Sequence, residues 1–339
     1  MTEKKYDVLG IGNAIVDVLA QVDDAFLESE RLAKGGMALI DAERAASLSA
    51  AIAAERELSG GSVANTMVGL ADLGGRAAFI GKVGTDSLGE TFRMELTKTG
   101  VDFLTPDAQS GPPTAQCVVL VTPDAQRTMN TYLGACVHVG PEDVDADTVA
   151  SASVIYLEGY LWDLEPAKEA FLKAAKMAHE NNVRVSLSLS DPFCVNRPRE
   201  SFLVFVKQHV DILFANEEEI RALYQSETIE EALESAASDA ETVAVTLGAD
   251  GAAILHGDVR HAIDAVPPRQ LVDTTGAGDL FAAGFLYGYT QEFPLERCGQ
   301  LGAAAASEII AQYGARSEVS LREVAAPCSP EVIRSPSGG

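Results

Sequence analysis

The run Asp273-Thr274-Thr275-Gly276-Ala277-Gly278-Asp279 leads directly into an apolar stretch at 280–285. Gly276, Ala277 and Gly278 stand where a loop becomes a helix, so their amide N–H groups can lie bare against an anion. They would do so at the positive end of the helix macrodipole. A carboxylate in that first turn, Asp279, would repel a phosphate that was merely bound. It makes sense if Asp279 takes a proton from an attacking hydroxyl while the amides hold the phosphoryl group in transfer. The plainer reading keeps Asp279 as an ordinary helix N-cap.

Other polar residues sit at similar junctions. Gly10-Ile11-Gly12-Asn13-Ala14-Ile15 follows a strand pattern, but Ile15 stands where a dinucleotide fingerprint needs its third glycine. Asn13 and Asp17 matter more, as polar groups near the carboxyl end of that strand. Asp17 can accept from a sugar diol, or it is the polar half of a solvent-facing alternation. Ser59-Gly60-Gly61-Ser62-Val63-Ala64-Asn65 again puts glycines before a helix, suiting close backbone approach to a ligand with Asn65 turned into the site. Ser62 is alternatively a plain N-cap. Asn216 and Glu219 share one face of a helix start and suit a hydrated Mg²⁺ beside phosphates. The same pair also fits a helix N-terminus with dipole-friendly acids. Thr246, Gly248 and Gly251 end a further strand in a tight turn that either faces a nucleotide or only turns a hairpin. The chain has no Gly-x4-Gly-Lys-Ser/Thr run, which excludes a P-loop as the phosphate cradle.

These groups need a scaffold, and the pattern supplies one. Strands are expected at 6–11, 77–82, 154–157, 184–189, 211–215 and 243–247. Helices are expected at 62–73, 87–99, 166–181, 217–224, 279–289 and 295–312. Such alternation with continuously apolar strands predicts a parallel sheet covered by helices on both faces. The segments 114–121 and 127–133 read instead as a β-hairpin, and with 16–22 and 36–41 they build a small projecting sheet.

Composition limits the partners. A net charge of -25 gives no cationic face for nucleic acid or an anionic membrane. No stretch approaches transmembrane length, and the N-terminus enters its strand without a signal-peptide core, so a cytoplasmic location is expected. Five scattered cysteines, without a CxxC pair, read as reduced core residues.

In this order, the segments from about Tyr6 to Ser317 resemble the ribokinase-like (phosphofructokinase-B-type) kinases. The match is carried by 273–279 as the C-terminal signature, Gly60-Gly61 with Asn65 as the N-terminal one, and Asn216/Glu219 between them. Gly-Asn-Ala-Ile-Val-Asp at 12–17, Ser-Leu-Ser-Asp-Pro-Phe at 188–193 and Val-Asp-Ile-Leu-Phe-Ala-Asn at 210–216 are most similar to the adenosine-kinase branch. The resemblance implies a three-layer α/β/α fold, a mostly parallel central sheet and a small β-sheet lid. It implies one kinase domain over 1–325 with lid segments at about 15–22, 34–42 and 112–135; the tail at 326–339, rich in Pro, Ser and Gly, is expected to be disordered on its composition.

It also implies transfer of the γ-phosphoryl of ATP to the 5′-hydroxyl of adenosine. Asp17 would hold the ribose hydroxyls, with Asn13, Gly61, Ser62 and Asn65 completing the sugar site. Met37, Leu39, Met129 and Thr131 would line the base pocket, and Tyr160 would stand near the base. Arg127 would approach the phosphates from the lid, and Thr246, Gly248 and Gly251 would border the nucleotide. Asp279 would be the base and 276–278 the anion hole. Mg²⁺ is expected at Asn216 and Glu219, and Asp273 with Thr275 is a candidate site for K⁺. A monomer or homodimer is expected. Two departures bear on the base: Met37 replaces an amide found in some members, and 158–162 lacks the paired phenylalanines of eukaryotic members. The alternatives are a sugar kinase of the same fold, acting on ribose, fructose or a ketodeoxy acid, and a catalytically silent nucleoside-binding protein.

Overall fold

A computed structural model describes residues 4–124 and 126–326. Its strands are β1 (Tyr6–Ile11), β2 (Ile15–Gln21), β3 (Met37–Leu39), β4 (Arg56–Gly60), β5 (Ala77–Ile80), β6 (Asp102–Phe103) and β7 (Ala115–Val121). They continue as β8 (Arg127–Tyr132), β9 (Ala152–Glu158), β10 (Arg184–Ser188), β11 (Ile212–Asn216), β12 (Thr242–Thr246), β13 (Ala252–His256) and β14 (Val259–Ile263). Nine of these form one sheet in the order β14-β13-β12-β11-β10-β9-β1-β5-β6. Every pairing from β12 to β6 is parallel, and only the β12–β13 and β13–β14 pairings are antiparallel.

Strand alternation divides the core between the sheet's two faces. Leu9, Ile11, Ile155, Leu157, Leu213 and Ala215 point to one side. There they meet α6 (Glu165–Glu180), α8 (Arg199–His209), α9 (Glu217–Tyr224) and α10 (Ile229–Asp239). Val8, Val154, Tyr156, Ile212 and Phe214 point to the other. That side packs on α3 (Ser62–Leu73), α4 (Ser87–Lys98), α11 (Ala277–Thr290), α12 (Leu295–Ile309) and α13 (Leu321–Ala325). The result is three layers, α/β/α.

The other five strands form a second sheet, β3-β8-β7-β2-β4. Its even-numbered side chains, Ala20, Val118 and Leu120, are buried against Leu27 of α1 (Asp24–Ser29) and Leu48 of α2 (Ala42–Ala51). The odd-numbered face of β2 is less buried, with Ile15, Asp17 and Leu19 each partly exposed. Helices cover one face of this small sheet and leave the other less buried.

The sequence reading passes over β4, whose first two residues are exposed Arg56 and Glu57, and over the β13–β14 hairpin. Four of the five cysteines are free and buried, whereas Cys328 and tail residues 327–339 lie outside the described residues. No helix among the described residues is long and apolar enough to cross a membrane.

Candidate active site

The parallel strands end side by side. Register pairs Ile11 with Leu157, Glu158 with Ser188, Ser188 with Phe214, and Asn216 with Thr246. Asn13, two residues past β1, therefore shares the carboxyl edge of the sheet with Glu158, Asn216 and Thr246. Sheets of this class bind ligands along that edge.

Asp279 reaches this edge from α11. The N-cap of α11 is Gly276, in the left-handed region at φ 81°, and a Cβ there would meet Ala315 Cβ at 2.6 Å. Asp279 is thus inside the first turn and caps nothing, which overturns the N-cap reading. Its Oδ1 accepts from Ser62 Oγ at 2.6 Å and its Oδ2 from Asn65 Nδ2 at 2.9 Å. Burial pushes its pKa up, against the opposing pull of Ser62, Asn65 and Arg316. The result is a desolvated carboxyl group of raised basicity, with lone pairs left for a hydroxyl proton.

Ser62 is the first residue of α3, behind an N-cap at Gly61, so it is not the cap either. Its hydroxyl, assigned to substrate from the sequence, is donated to Asp279, and the Asn65 amide does the same work. Gly61 sits at φ 101°, and a Cβ there would fall on the carbonyl oxygen of Asn13. Only glycine lets these two turns touch. In the turn offered as an anion hole, Gly278 has open space where a Cβ would stand, while the Ala277 amide donates to Thr274 O at 3.2 Å.

The lid's open face is set by register. Asp17 pairs with Cys117, Cys117 with Thr131, and Thr131 with Leu39, giving one row across four strands. Leu19, Val119, Met129 and Met37 form the next row on the same face. An acidic acceptor thus adjoins an apolar strip. Met37 and Leu39, on the edge strand, are 62% and 65% exposed. Burial raises the Asp17 pKa to about 6, opposed by Arg316 and Arg127 and assisted by the charge of Asp279.

Asn13 is buried and holds Glu158 through its backbone N–H at 2.8 Å and its Nδ2 at 2.5 Å. The Asn13 Oδ1 is buried without a partner, an acceptor left over for a ligand hydroxyl. Glu158 is 0% exposed and also accepts from Val63 N at 3.1 Å. Burial raises its pKa to about 7 in spite of those three donors. Tyr160, half-exposed in the turn after β9, donates its hydroxyl to Ser190 O at 3.2 Å.

Asn216 and Glu219 form a reciprocal capping box. Both Glu219 oxygens accept from Asn216, at 2.9 Å from its N–H and 2.7 Å from its Nδ2, and Asn216 Oδ1 accepts from Glu219 N at 2.8 Å. Burial, with Asp191, Asp279 and Glu218 nearby, lifts the Glu219 pKa to about 7. This gathered negative charge fits a divalent cation that keeps its water and leans on phosphates. No group of three or more His, Cys, Asp or Glu among the described residues forms a direct cage.

Thr246 lies beside Asn216, but Gly248 and Gly251 belong to the turn joining β12 to β13. A Cβ on Gly251 would collide with Ile263 O, so that glycine serves the hairpin. Arg127 reaches from β8 to an ion pair with Asp273, whose carboxylate also accepts from Gly314 N at 2.9 Å and Thr275 N at 3.0 Å. The guanidinium therefore occupies the carboxylate that the sequence reading offered to K⁺. The Arg127 Nε is buried and unpartnered.

Two residues of this site escape the sequence reading. Glu158 left a signal, a carboxylate directly after a continuous apolar strand. Arg316 left none, since it lies in an irregular segment far from every motif. A cavity of about 470 Å³ lies beside Arg316, Ser59 and Leu280, and its lining does not include Asp279, Asp17 or Asn13.

The family model for pfkB family carbohydrate kinases matches residues 30–321. A solved adenosine kinase from Sinorhizobium meliloti is 49% identical, with a TM-score of 0.87 over 96% of this chain and 100% of that one. A probable sugar kinase from Rhizobium etli is 50% identical, with the same TM-score over 96% and 98%. The 5-dehydro-2-deoxygluconokinase of Lacticaseibacillus casei is 27% identical over 91% of each chain.

Proposed function

The chain belongs to the pfkB family of carbohydrate kinases, ATP-dependent phosphotransferases acting on hydroxyl groups, and from that premise we propose that it phosphorylates the 5′-hydroxyl of adenosine. One observation carries the choice of a nucleoside. Asp17, an acceptor for a diol, shares a lid face with Leu39, Met129 and Met37 in adjoining rows. An apolar strip beside a diol acceptor suits ribose joined to a flat base. A free sugar, with hydroxyls around its rim, gains little from it. Methionine adapts to such a ring through its flexible, polarizable thioether.

In this reading, Asn13 Oδ1 and Asp17 receive ribose hydroxyls, Thr131 and Tyr160 border the base, and Gly61 lets the sugar approach the backbone. The 5′-hydroxyl lies against Asp279, which accepts its proton as the oxygen attacks the γ-phosphoryl in line. The amides of Gly276, Ala277 and Gly278 and the Arg127 guanidinium face the developing charge. Ala277 must then exchange its bond to Thr274 O for a phosphate oxygen, and Arg127 must turn from Asp273. Thr246 borders the nucleotide. Mg²⁺, when bound near Asn216 and Glu219, neutralises phosphate charge. The lid keeps water from the phosphoryl group, suppressing hydrolysis.

A substrate panel tests this. ADP release from purified protein and ATP is measured with adenosine, ribose, fructose and 5-dehydro-2-deoxygluconate. Adenosine should exceed ribose in kcat/KM by about 10²-fold, equivalent to roughly 2.7 kcal/mol of transition-state binding. Parity of any free sugar with adenosine refutes the nucleoside reading in favour of a sugar kinase. Silence toward all four substrates contradicts the catalytic reading and leaves binding alone.

A further inference from the structure

Arg316 is a partly buried cation with no role in the chemistry described above. It stands in the irregular segment after α12, outside every motif of the sequence. Its Nε donates to Ser59 O at 3.1 Å, its Nη1 to Ala64 O at 3.3 Å, and its Nη2 to Ser59 Oγ at 3.1 Å and to Ser59 O. These acceptors flank the turn from β4 into α3, which contains Gly60 and Gly61. The same turn presents Ser62 and Asn65 to Asp279. Asp17 lies against it too, since a Cβ on Gly60 would strike the Asp17 carboxylate. Asp17 and Asp279 therefore share one support, and a single guanidinium holds that support from behind.

We propose that Arg316 is a positioning residue for phosphoryl transfer: it pins the Gly60–Gly61 turn and supplies the counter-charge that keeps Asp17 and Asp279 ionised together. The roles of those two carboxylates rest on the function proposed above, whereas the clamp rests on the contacts of Arg316 with Ser59 and Ala64, and the counter-charge on the through-space effect of a guanidinium held against the turn that both carboxylates share. Two carboxylates in one low-dielectric pocket disfavour each other's ionisation, and a fixed cation between their supports offsets this. Arg316 acts electrostatically on Asp17, Asp279 and Glu95. Asp17 also faces Arg127 and Cys117, on the lid side. Asp279 also faces Glu158, Glu219, Tyr156 and Tyr160, of which none is a cation. For Asp279 the counter-charge is thus Arg316. Lysine cannot replace it in full, because an ammonium cannot span Ser59 and Ala64 with a planar fork.

The test compares wild type with Arg316→Gln and Arg316→Lys. In Arg316→Gln the acid limb of the kcat/KM profile for adenosine should move up by about one pH unit, with the plateau lowered at least about tenfold. Arg316→Lys should keep the wild-type limb while losing part of the plateau. A plateau loss with an unmoved limb in Arg316→Gln reduces Arg316 to a structural strut and overturns the counter-charge.

Thermal unfolding without substrate gives an independent readout. The midpoint of Arg316→Gln should fall further below wild type at pH 7.5, where carboxylate charge is left without its counter-charge, than at pH 4.5, where protonation relieves it. Equal losses at the two pH values overturn the proposal even if adenosine is not the substrate. Should Arg316→Gln not fold, Arg316→Lys decides alone. A limb displaced upward, or a plateau and midpoint equal to wild type, contradicts the proposal. Wild-type protein that fails on adenosine but shows the pH-dependent midpoint difference counts against the substrate and supports the counter-charge.

Discussion

Replacing Asp17 by Asn should stabilise this protein while impairing it. Burial raises the carboxyl pKa from 3.8 to about 6, net of the attraction of Arg316 and Arg127. That is roughly 2 units, and at 1.36 kcal/mol per unit the ionised group costs about 3 kcal/mol at pH 7. A raised carboxylate pKa fixes the sign. The penalty is absent below pH 3.8, grows as pH rises toward 6, and is complete above it. Asn imitates the protonated form and carries no such penalty.

Urea unfolding should therefore show Asp17→Asn more stable than wild type by up to about 3 kcal/mol at pH 7.5, and by little at pH 4. Glu158 and Glu219 also titrate near pH 7 in the folded chain, but they are common to both proteins and cancel in the difference. Function moves the other way. Loss of a charge-assisted acceptor costs about 1.5–3 kcal/mol, so kcat/KM for adenosine should fall roughly 10- to 200-fold. Wild type should discriminate against 2′-deoxyadenosine by a similar factor, and that discrimination should collapse in the variant. A variant less stable than wild type at pH 7.5 refutes the burial argument. Unchanged discrimination between the two nucleosides refutes the diol contact.

Asp279→Asn should lower kcat by about 10²–10⁴ while the adenosine Kd, read by calorimetry, changes little. Because Gly276 caps α11, this substitution leaves the helix start intact, and retention of more than a tenth of the rate would sink the base assignment. Gly61→Ala should cost at least about 3 kcal/mol in denaturant unfolding, since the new Cβ meets Asn13 O and φ is positive. A loss below about 1 kcal/mol would mean that the turn can yield.

The sequence by itself determined the scaffold and the position of the glycine turn that leads into α11. Helix 62–73 is read to the residue, because apolar spacing opens it after Gly61 and Gly74 closes it in the left-handed region. The strand at 6–11 is equally legible as an unbroken buried run. Such features are written within about ten residues, where periodicity and turn chemistry act. β4 is not legible, because it begins with exposed Arg56 and Glu57 and becomes a strand only by pairing with β2.

Tertiary structure decided the rest. In sequence, Asp279 serves equally as a cap or a base. Ser62 and Asn65, 217 and 214 residues away, make it a side-chain acceptor in the cleft. Nothing near Arg127 in the chain tells that Asp273, 146 residues on, holds its guanidinium in the structure. Asp17 owes its displaced pKa to burial, and Arg316 comes to its turn from 257 residues beyond Ser59. Charge and desolvation act through space over a few ångströms, and no local pattern in the chain records which distant group will arrive there.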